Sequence, residues 1–374
     1  MKFSVSSSIL SSRLQALSKV ISNKSTLPIL DNFLFELSGN SLVITASDSE
    51  NLMKTSLLLD NCDGTGRFTI PSKTILDATR ELPEQPLNFE VDLSTYSVKV
   101  NYLNGVYNLV AQSAEEYPPY KELTNLSGSI TIPSNLLNTN LVRTLFATGQ
   151  DELRPVMNGV YFDLTPEHLA IVATDGQKLV RNRISSIKTQ APTAFILPKK
   201  PATLLRNVLT KDESVVTINF DQRNAEIHFA DGLLSCRLIE GRYPNYNSVI
   251  PQENPHRLTI DRKSLISALR RVLPFASSTQ LVRLHIELGK LELSSEDLDF
   301  STSAKETLVC DYDSTPMNIG FRGSLLTDVL NNLEGDDVII GLADPSRAGV
   351  ILPATPQVEG EEVLMLIMPA LLND

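Results

Sequence analysis

Three carboxylates stand at comparable places along the chain: Asp48, Asp175 and Glu296, each closing a run of alternating apolar and polar residues. Brought within a few ångströms of one bond, such groups could share acid and base work on a hydrolysable substrate. The sharpest of these stretches is Ala-Thr-Asp-Gly-Gln-Lys-Leu, residues 173–179, where Asp175 and Gly176 fall at the expected end of a strand. Nothing in the rest of the chain completes such a site. There is no Gly-rich phosphate loop, G-x-S-x-G elbow, H-E-x-x-H or C-x-x-C. His168, His228, His256 and His285 are scattered, three of them in strand-like alternation. Catalytic residues, metal ligands and a cofactor are therefore not expected.

The elements that hold the carboxylates repeat. Phe-Glu-Leu-Ser-Gly-Asn-Ser-Leu-Val-Ile-Thr-Ala-Ser-Asp (35–48) and Phe-Asp-Leu-Thr-Pro-Glu-His-Leu-Ala-Ile-Val-Ala-Thr-Asp (162–175) both read as β-hairpins, period two around a turn. A looser third copy, 285–297, places Glu296 at the equivalent point. Residues that repeat once per domain would lie far apart in a row or ring of domains, which argues against an acid triad. A shorter repeat runs inside the first. A brief strand, then Ser, Pro or a charged residue, then a segment of helical period recurs at Ser6, Pro71, Pro133, Pro198, Asp261 and Arg322, in steps of 65, 62, 65, 63 and 61. Leu204, Leu205, Val208 and Leu209 form one apolar stripe, and Leu265, Ile266, Leu269 and Val272 another. The expected architecture is α+β, with one helix and a few antiparallel strands per unit, two units per domain and three domains: 1–124, 125–252 and 253–374.

The 374 residues are 42% hydrophobic and 21% charged, in keeping with a globular chain of several domains. No apolar run long enough to span a membrane and no signal-peptide core is visible, and Cys62, Cys236 and Cys310 are far apart and odd in number. A reduced, cytoplasmic setting is expected. The net charge of −11 argues against nucleic acid until it is located. Six helical windows (6–24, 71–82, 133–148, 198–209, 261–273 and 322–333) hold 14 of the 33 Lys and Arg but 4 of the 44 Asp and Glu, a net +10 against −21 elsewhere. Helices on one side of the sheets would present a basic surface in an acidic body, suited to a duplex held by its phosphates and not read by sequence. A repeat scaffold unrelated to DNA and a hydrolase using Asp175 are the alternatives; charge location weighs against the first, the missing constellation against the second.

Several stretches bear a family resemblance: Met-Lys-Phe at the start, Thr-Leu-Pro-Ile-Leu (26–30), Ala-Thr-Asp-Gly-Gln-Lys-Leu (173–179), Leu-Pro-Lys-Lys (197–200), Ile-Glu-Gly-Arg-Tyr-Pro-Asn-Tyr (239–246) and Leu-Ile-Met-Pro-Ala-Leu-Leu (366–372). Over essentially its whole length the chain resembles the β sliding clamps, the β subunits of bacterial DNA polymerase III. The resemblance implies a DNA clamp fold with sheets outside and helices inside, and a head-to-tail, ring-shaped homodimer. Such a ring encircles double-stranded DNA as a processivity factor and tethers the replicative polymerase, clamp loader and repair proteins, without catalysis of its own.

By position in that family, Lys24, Lys73, Arg80, Gln150, Arg154, Lys199 and Lys200 are expected at the DNA; Arg270 and Arg271 are added on charge alone. A pocket for short apolar peptides of partner proteins would comprise Met157, Thr174, Gly176, Gln177, Lys178, Leu179, Pro244, Val249, Met368 and Pro369. Met and Pro suit a surface that must adapt to several ligands. The pattern departs from the family where Gln177-Lys178 replaces a frequent His-Arg, and where Ala-Leu-Leu-Asn-Asp follows Pro369. Tyr107 and Leu109 of one chain, against Pro274 and Phe275 of the other, would form the apolar part of the subunit contact.

Overall fold

The computed structural model describes residues 1–22, 27–355 and 358–372. Among them are six α-helices: α1 (Ser7–Ser18), α2 (Ser72–Arg80), α3 (Ser134–Leu145), α4 (Lys199–Val208), α5 (Arg262–Val272) and α6 (Gly323–Asn331). Each begins one residue after the repeat positions Ser6, Pro71, Pro133, Pro198, Asp261 and Arg322. The Ser6 hydroxyl accepts from the Ile9 amide at 3.2 Å, and the Asp261 carboxylate from the Ser264 amide at 2.7 Å, each satisfying an otherwise unpaired donor of the first turn. Pro71 offers no such bond, but its ring fixes a backbone angle compatible with the turn into the helix. Leu265, Ile266, Leu269 and Val272 of α5 are buried, as are Leu204, Leu205 and Leu209 at α4; Val208 is half-buried.

The chain divides into two compact units, 1–138 with 200–238 and 139–199 with 239–374, so the division cuts α3 and falls at the first residue of α4. In the first unit one sheet has the strand order Gly128–Pro133, Val215–Phe220, Asn224–Phe229, Gly232–Arg237, Asn51–Leu58, Ser41–Ser47, Asn32–Ser38, Gly66–Pro71. A second sheet runs Cys62–Asp63, Lys2–Ser6, Pro86–Asp92, Ser97–Tyr102, Gly105–Val110. In the second unit the large sheet runs Thr193–Pro198, Gly159–Leu164, Leu169–Thr174, Lys178–Ile184, Glu361–Ile367, Gly349–Pro353, Asp337–Leu342, His256–Asp261. The small one runs Thr302–Val309, Lys290–Asp297, Leu281–Glu287, Met317–Arg322.

All pairings are antiparallel, and each large sheet joins strands of neighbouring segments of the repeat. Gly232–Arg237 lies beside Asn51–Leu58 with Leu234 opposite Met53, and Lys178–Ile184 lies beside Glu361–Ile367 with Leu179 opposite Leu366. The helices cover one face. In the second unit a continuous core joins Leu265, Leu269 and Val272 of α5, Leu326 and Val329 of α6, and the sheet residues Val180, Leu284, Leu293 and Met365.

Arg143, Lys178 and Arg181 are buried charges of this unit, Arg143 the most deeply. Arg143 of α3 is 4% exposed and reaches Glu361, itself 8% exposed, at 2.8 Å and Glu334 at 2.9 Å. Removing a single partner of such a pair leaves an uncompensated charge in an apolar setting. Arg143→Met should lower unfolding stability by about 3–5 kcal/mol, read as a drop in the urea midpoint with unchanged slope, and Glu361→Gln in the same chain should recover part of it.

Candidate functional site

Two of the three carboxylates, Asp48 and Asp175, close their own turns. Asp48 Oδ1 accepts from the amides of Glu50 (3.0 Å) and Asn51 (2.7 Å), and Asp175 Oδ1 from those of Gln177 and Lys178, both at 2.9 Å. These are Asx turns, in which a short acid side chain mimics the next peptide carbonyl and closes the hairpin. In the third copy the closing acid is Asp297, not Glu296: its Oδ1 accepts from Asp299 (3.0 Å) and Phe300 (3.2 Å). Glu296 is an exposed strand residue opposite Ser303. Glutamate is one methylene too long for this turn, and the sequence offered the correct acid one position later.

In the second unit the turn at Asp175 leads into a surface built from four segments. Thr174 and Leu179 face each other across the hairpin and share a side of the sheet. The Thr174 hydroxyl donates to the Lys178 carbonyl at 2.7 Å and accepts from the Gly176 amide at 3.1 Å. Gly176 has φ +89°, a conformation that favours glycine, and a Cβ there would stand 3.0 Å from Arg154 Nη1. The Met368 amide donates to the Gln177 carbonyl at 2.8 Å, which ties Met368 and Pro369 to the same turn.

Beneath lies an apolar cluster containing Val172, Leu179, Val350, Leu366, Tyr243 and Tyr246, with Val156 and Ile250 packed on it. Tyr243 stacks on Tyr161 with ring centroids 4.4 Å apart, and the Tyr246 hydroxyl donates to Asp163 Oδ2 at 2.8 Å. Burial pushes both phenols well above their usual range. This stack anchors the segment that presents Pro244 and, through the short helix Tyr246–Val249, the exposed Val249. Met157, at the end of the short helix Pro155–Met157, is half-buried, and its carbonyl accepts from the Gly149 amide at 2.7 Å. Gly176, Gln177, Val249 and Met368 are exposed, Pro244 and Pro369 half-exposed, and Leu179 forms part of the floor.

Lys178 does not join them on that side. It alternates with Leu179 along the strand, is almost fully buried, and places its ammonium 2.7 Å from Asp175 and 6.0 Å from the Phe146 ring. Its charge holds the turn from behind. Period-two alternation alone could have shown this. The tyrosine stack was less legible, since Tyr161 lies more than 80 residues from its two partners.

The expected DNA-contacting residues fall in both units. Lys73 and Arg80 are exposed on α2, and Gln150 and Arg154 are exposed in the second unit, where Arg154 Nε pairs with Asp151 at 2.9 Å. Lys24 lies outside the described residues. Lys199 is half-buried, and burial together with the nearby Lys178 charge lowers its ammonium pKa. Lys200 is engaged within the chain: its Nζ donates to the Val20 carbonyl at 2.6 Å and to Asp48 Oδ2 at 2.5 Å. Arg270 is exposed, whereas Arg271 is held by both carboxylate oxygens of Glu306. The positions expected at a subunit contact lie at the margins of the two small sheets. Tyr107 and Leu109 are half-buried on the strand Gly105–Val110, and Pro274 and Phe275 are exposed just after α5.

The fold, with three domains of antiparallel sheet and helices, is that of a DNA clamp. Three family descriptions match in succession: the N-terminal domain of the DNA polymerase III beta subunit over residues 1–121, its central domain over 131–245 and its C-terminal domain over 247–370. The chain belongs to the DNA polymerase III β subunit family, the β sliding clamps. It is 28% identical over 350 residues to the beta sliding clamp of Haemophilus influenzae, covering 92% of this chain and 93% of that one. Solved sliding clamps from Pseudomonas aeruginosa and Bartonella birtlesii, both bound to griselimycin, superpose over 100% of either chain with TM-scores of 0.92 and 0.90 at 24% and 26% identity. No helix among the described residues is long and apolar enough to cross a membrane.

The Asp48 turn yields a pH test. Burial raises its carboxyl pKa, but the bonds from Lys200 and from the amide and side chain of Asn51 outweigh burial and set it below its ordinary 3.8. A depressed carboxylate stabilises the fold above its unfolded pKa, and that contribution is lost as pH falls through the folded value. Acid titration should therefore weaken the protein below pH 3.8, and Asp48→Asn should flatten that part of the stability profile, measured by urea unfolding at each pH.

Proposed function

We propose that two copies of this chain join head to tail in a ring around double-stranded DNA and act as a processivity factor. The observation that carries this reading is the charge partition: the six helical windows that recur every 61–65 residues hold 14 basic and 4 acidic side chains in a chain of net charge −11. Many exchangeable contacts to phosphates centre a duplex without reading it, and long Lys and Arg stems suit that better than a fixed reader of bases. We assign these contacts to Lys24, Lys73, Arg80, Gln150, Arg154, Lys199 and Lys200, the last able to reach DNA only by leaving Asp48. In this reading the chain makes and breaks no bond, works in the cytoplasm, and depends on a separate loader to open the ring. The domains are assigned as 1–124, 125–252 and 253–374.

Repetition supports ring closure. Gly232–Arg237 pairs with Asn51–Leu58, and Glu361–Ile367 with Lys178–Ile184. The strand Gly105–Val110 stands 127 residues before Gly232–Arg237, and Thr302–Val309 continues the series of Asn51–Leu58 and Lys178–Ile184. Each lies at one margin of its small sheet, opposite Cys62–Asp63 in the first and Met317–Arg322 in the second, and each is assigned its counterpart in a second copy. Loaded on nicked circular DNA by its loader, the protein should be retained, then lost once the circle is linearised; equal retention on both forms would refute encirclement.

The apolar surface around Leu179, Pro244, Val249 and Met368 is assigned to short apolar peptides of the polymerase, loader and repair proteins. The griselimycin-bound relatives favour a ligand site on such a fold. Val249→Asp and Met368→Asp place charge on its exposed rim without disturbing the tyrosine stack. Each should weaken binding of an apolar polymerase-derived peptide by about tenfold or more, measured by fluorescence anisotropy, with the melting temperature unchanged.

A further inference from the structure

The two open strands share a composition that sets how the copies adhere. The strand Gly105–Val110 carries no charged residue, and none occurs from Val100 to Ala114. Unpaired sheet margins are usually guarded by Lys, Pro or a bulge, and this one has none of these. Its register with Ser97–Tyr102 puts Tyr107 opposite Val100 and Leu109 opposite Val98, on the core face, and leaves Val106, Asn108 and Val110 on the outer face. No residue of the strand is fully buried, and Val110 is 74% exposed.

The strand Thr302–Val309 is alike. Ala304 and Leu308 pack from its inner face onto the core, Val309 is 88% exposed, and Leu298 and Phe300 stand out from the adjoining hairpin tip. Its two charges are neutralised within the chain. Glu306 holds the Arg271 guanidinium, and Lys305 Nζ lies 2.7 Å from Glu292. The acids near the tip, Glu296, Asp297 and Asp299, would meet no cation on a partner strand that has none. The internal junction of the second unit differs, since Arg181 and Arg183 there reach across to Glu362.

We infer that the junction between copies is a non-ionic seam, held by main-chain pairing of these two strands and by apolar contact of Val106, Tyr107, Leu109 and Val110 with Phe275, Leu308 and Val309. The inference rests on the head-to-tail reading and specifies its chemistry. Screening by salt weakens ionic contacts and leaves apolar burial intact, so the seam should tolerate salt that loosens an ionic interface.

Sedimentation of the full chain across a dilution series at 50 mM, 200 mM and 1 M KCl tests it. The dimer dissociation constant should change by less than about threefold over that range. A larger rise with salt overturns the non-ionic seam and leaves the dimer standing. A monomer at every salt concentration overturns the head-to-tail reading itself. Val110→Glu, exposed in the single chain and so compatible with folding by circular dichroism, should weaken the dimer by about tenfold or more; an unchanged constant removes this strand from the seam.

Discussion

Main-chain hydrogen bonding at strand margins is the constraint on which the rest depends. A buried or semi-buried strand must pair its amides and carbonyls on both sides, and a repeat made of short antiparallel sheets creates a margin at every boundary. Here two of those boundaries are closed inside the chain, at Leu234 beside Met53 and at Leu179 beside Leu366. The cores follow from that closure. Joining the sheets extends one apolar face, and the helices are placed to cover it, as α5 and α6 do with Leu269 and Val329. The same requirement leaves Gly105–Val110 and Thr302–Val309 with main-chain groups unpaired on one side.

The candidate peptide surface is a by-product of one such closure. Because Lys178–Ile184 pairs with Glu361–Ile367, the hairpin turn at Asp175 is brought beside Met368, and one amide-to-carbonyl bond fixes both. The stacked tyrosines set the height of Pro244 and Val249 above the same floor. The acid in the turn is structural, and its position at a strand end reflects hairpin geometry. Evolution of a docking site at such a junction needs no new backbone, only apolar side chains on its exposed rim.

Much of this was legible in residue order. Five of the six helix starts follow Ser, Pro or Asp, which act locally on the first turn and need no tertiary partner; the sixth, after Arg322, was placed by the repeat spacing alone. The hairpins at 35–48 and 162–175 were equally local. The third copy misled by one position, because alternation marks a strand and does not say which of two adjacent acids closes the turn. Net charge by window does not say which individual side chains are free. Lys200 and Arg271 count as basic helix residues, yet Asp48 and Glu306 hold them within the chain.

The sequence by itself determined what short-range physics controls: helix starts, hairpin turns, apolar stripes, and the segregation of basic from acidic residues along the chain. Only the tertiary structure decided which strands become neighbours across the repeat, that Lys178 turns away from the surface Leu179 supports, and that Arg143 is buried between two glutamates. These depend on pairs separated by tens to hundreds of residues. Alternation gives each strand two faces but does not name the strand beside it, so the partners become known only when the sheets close.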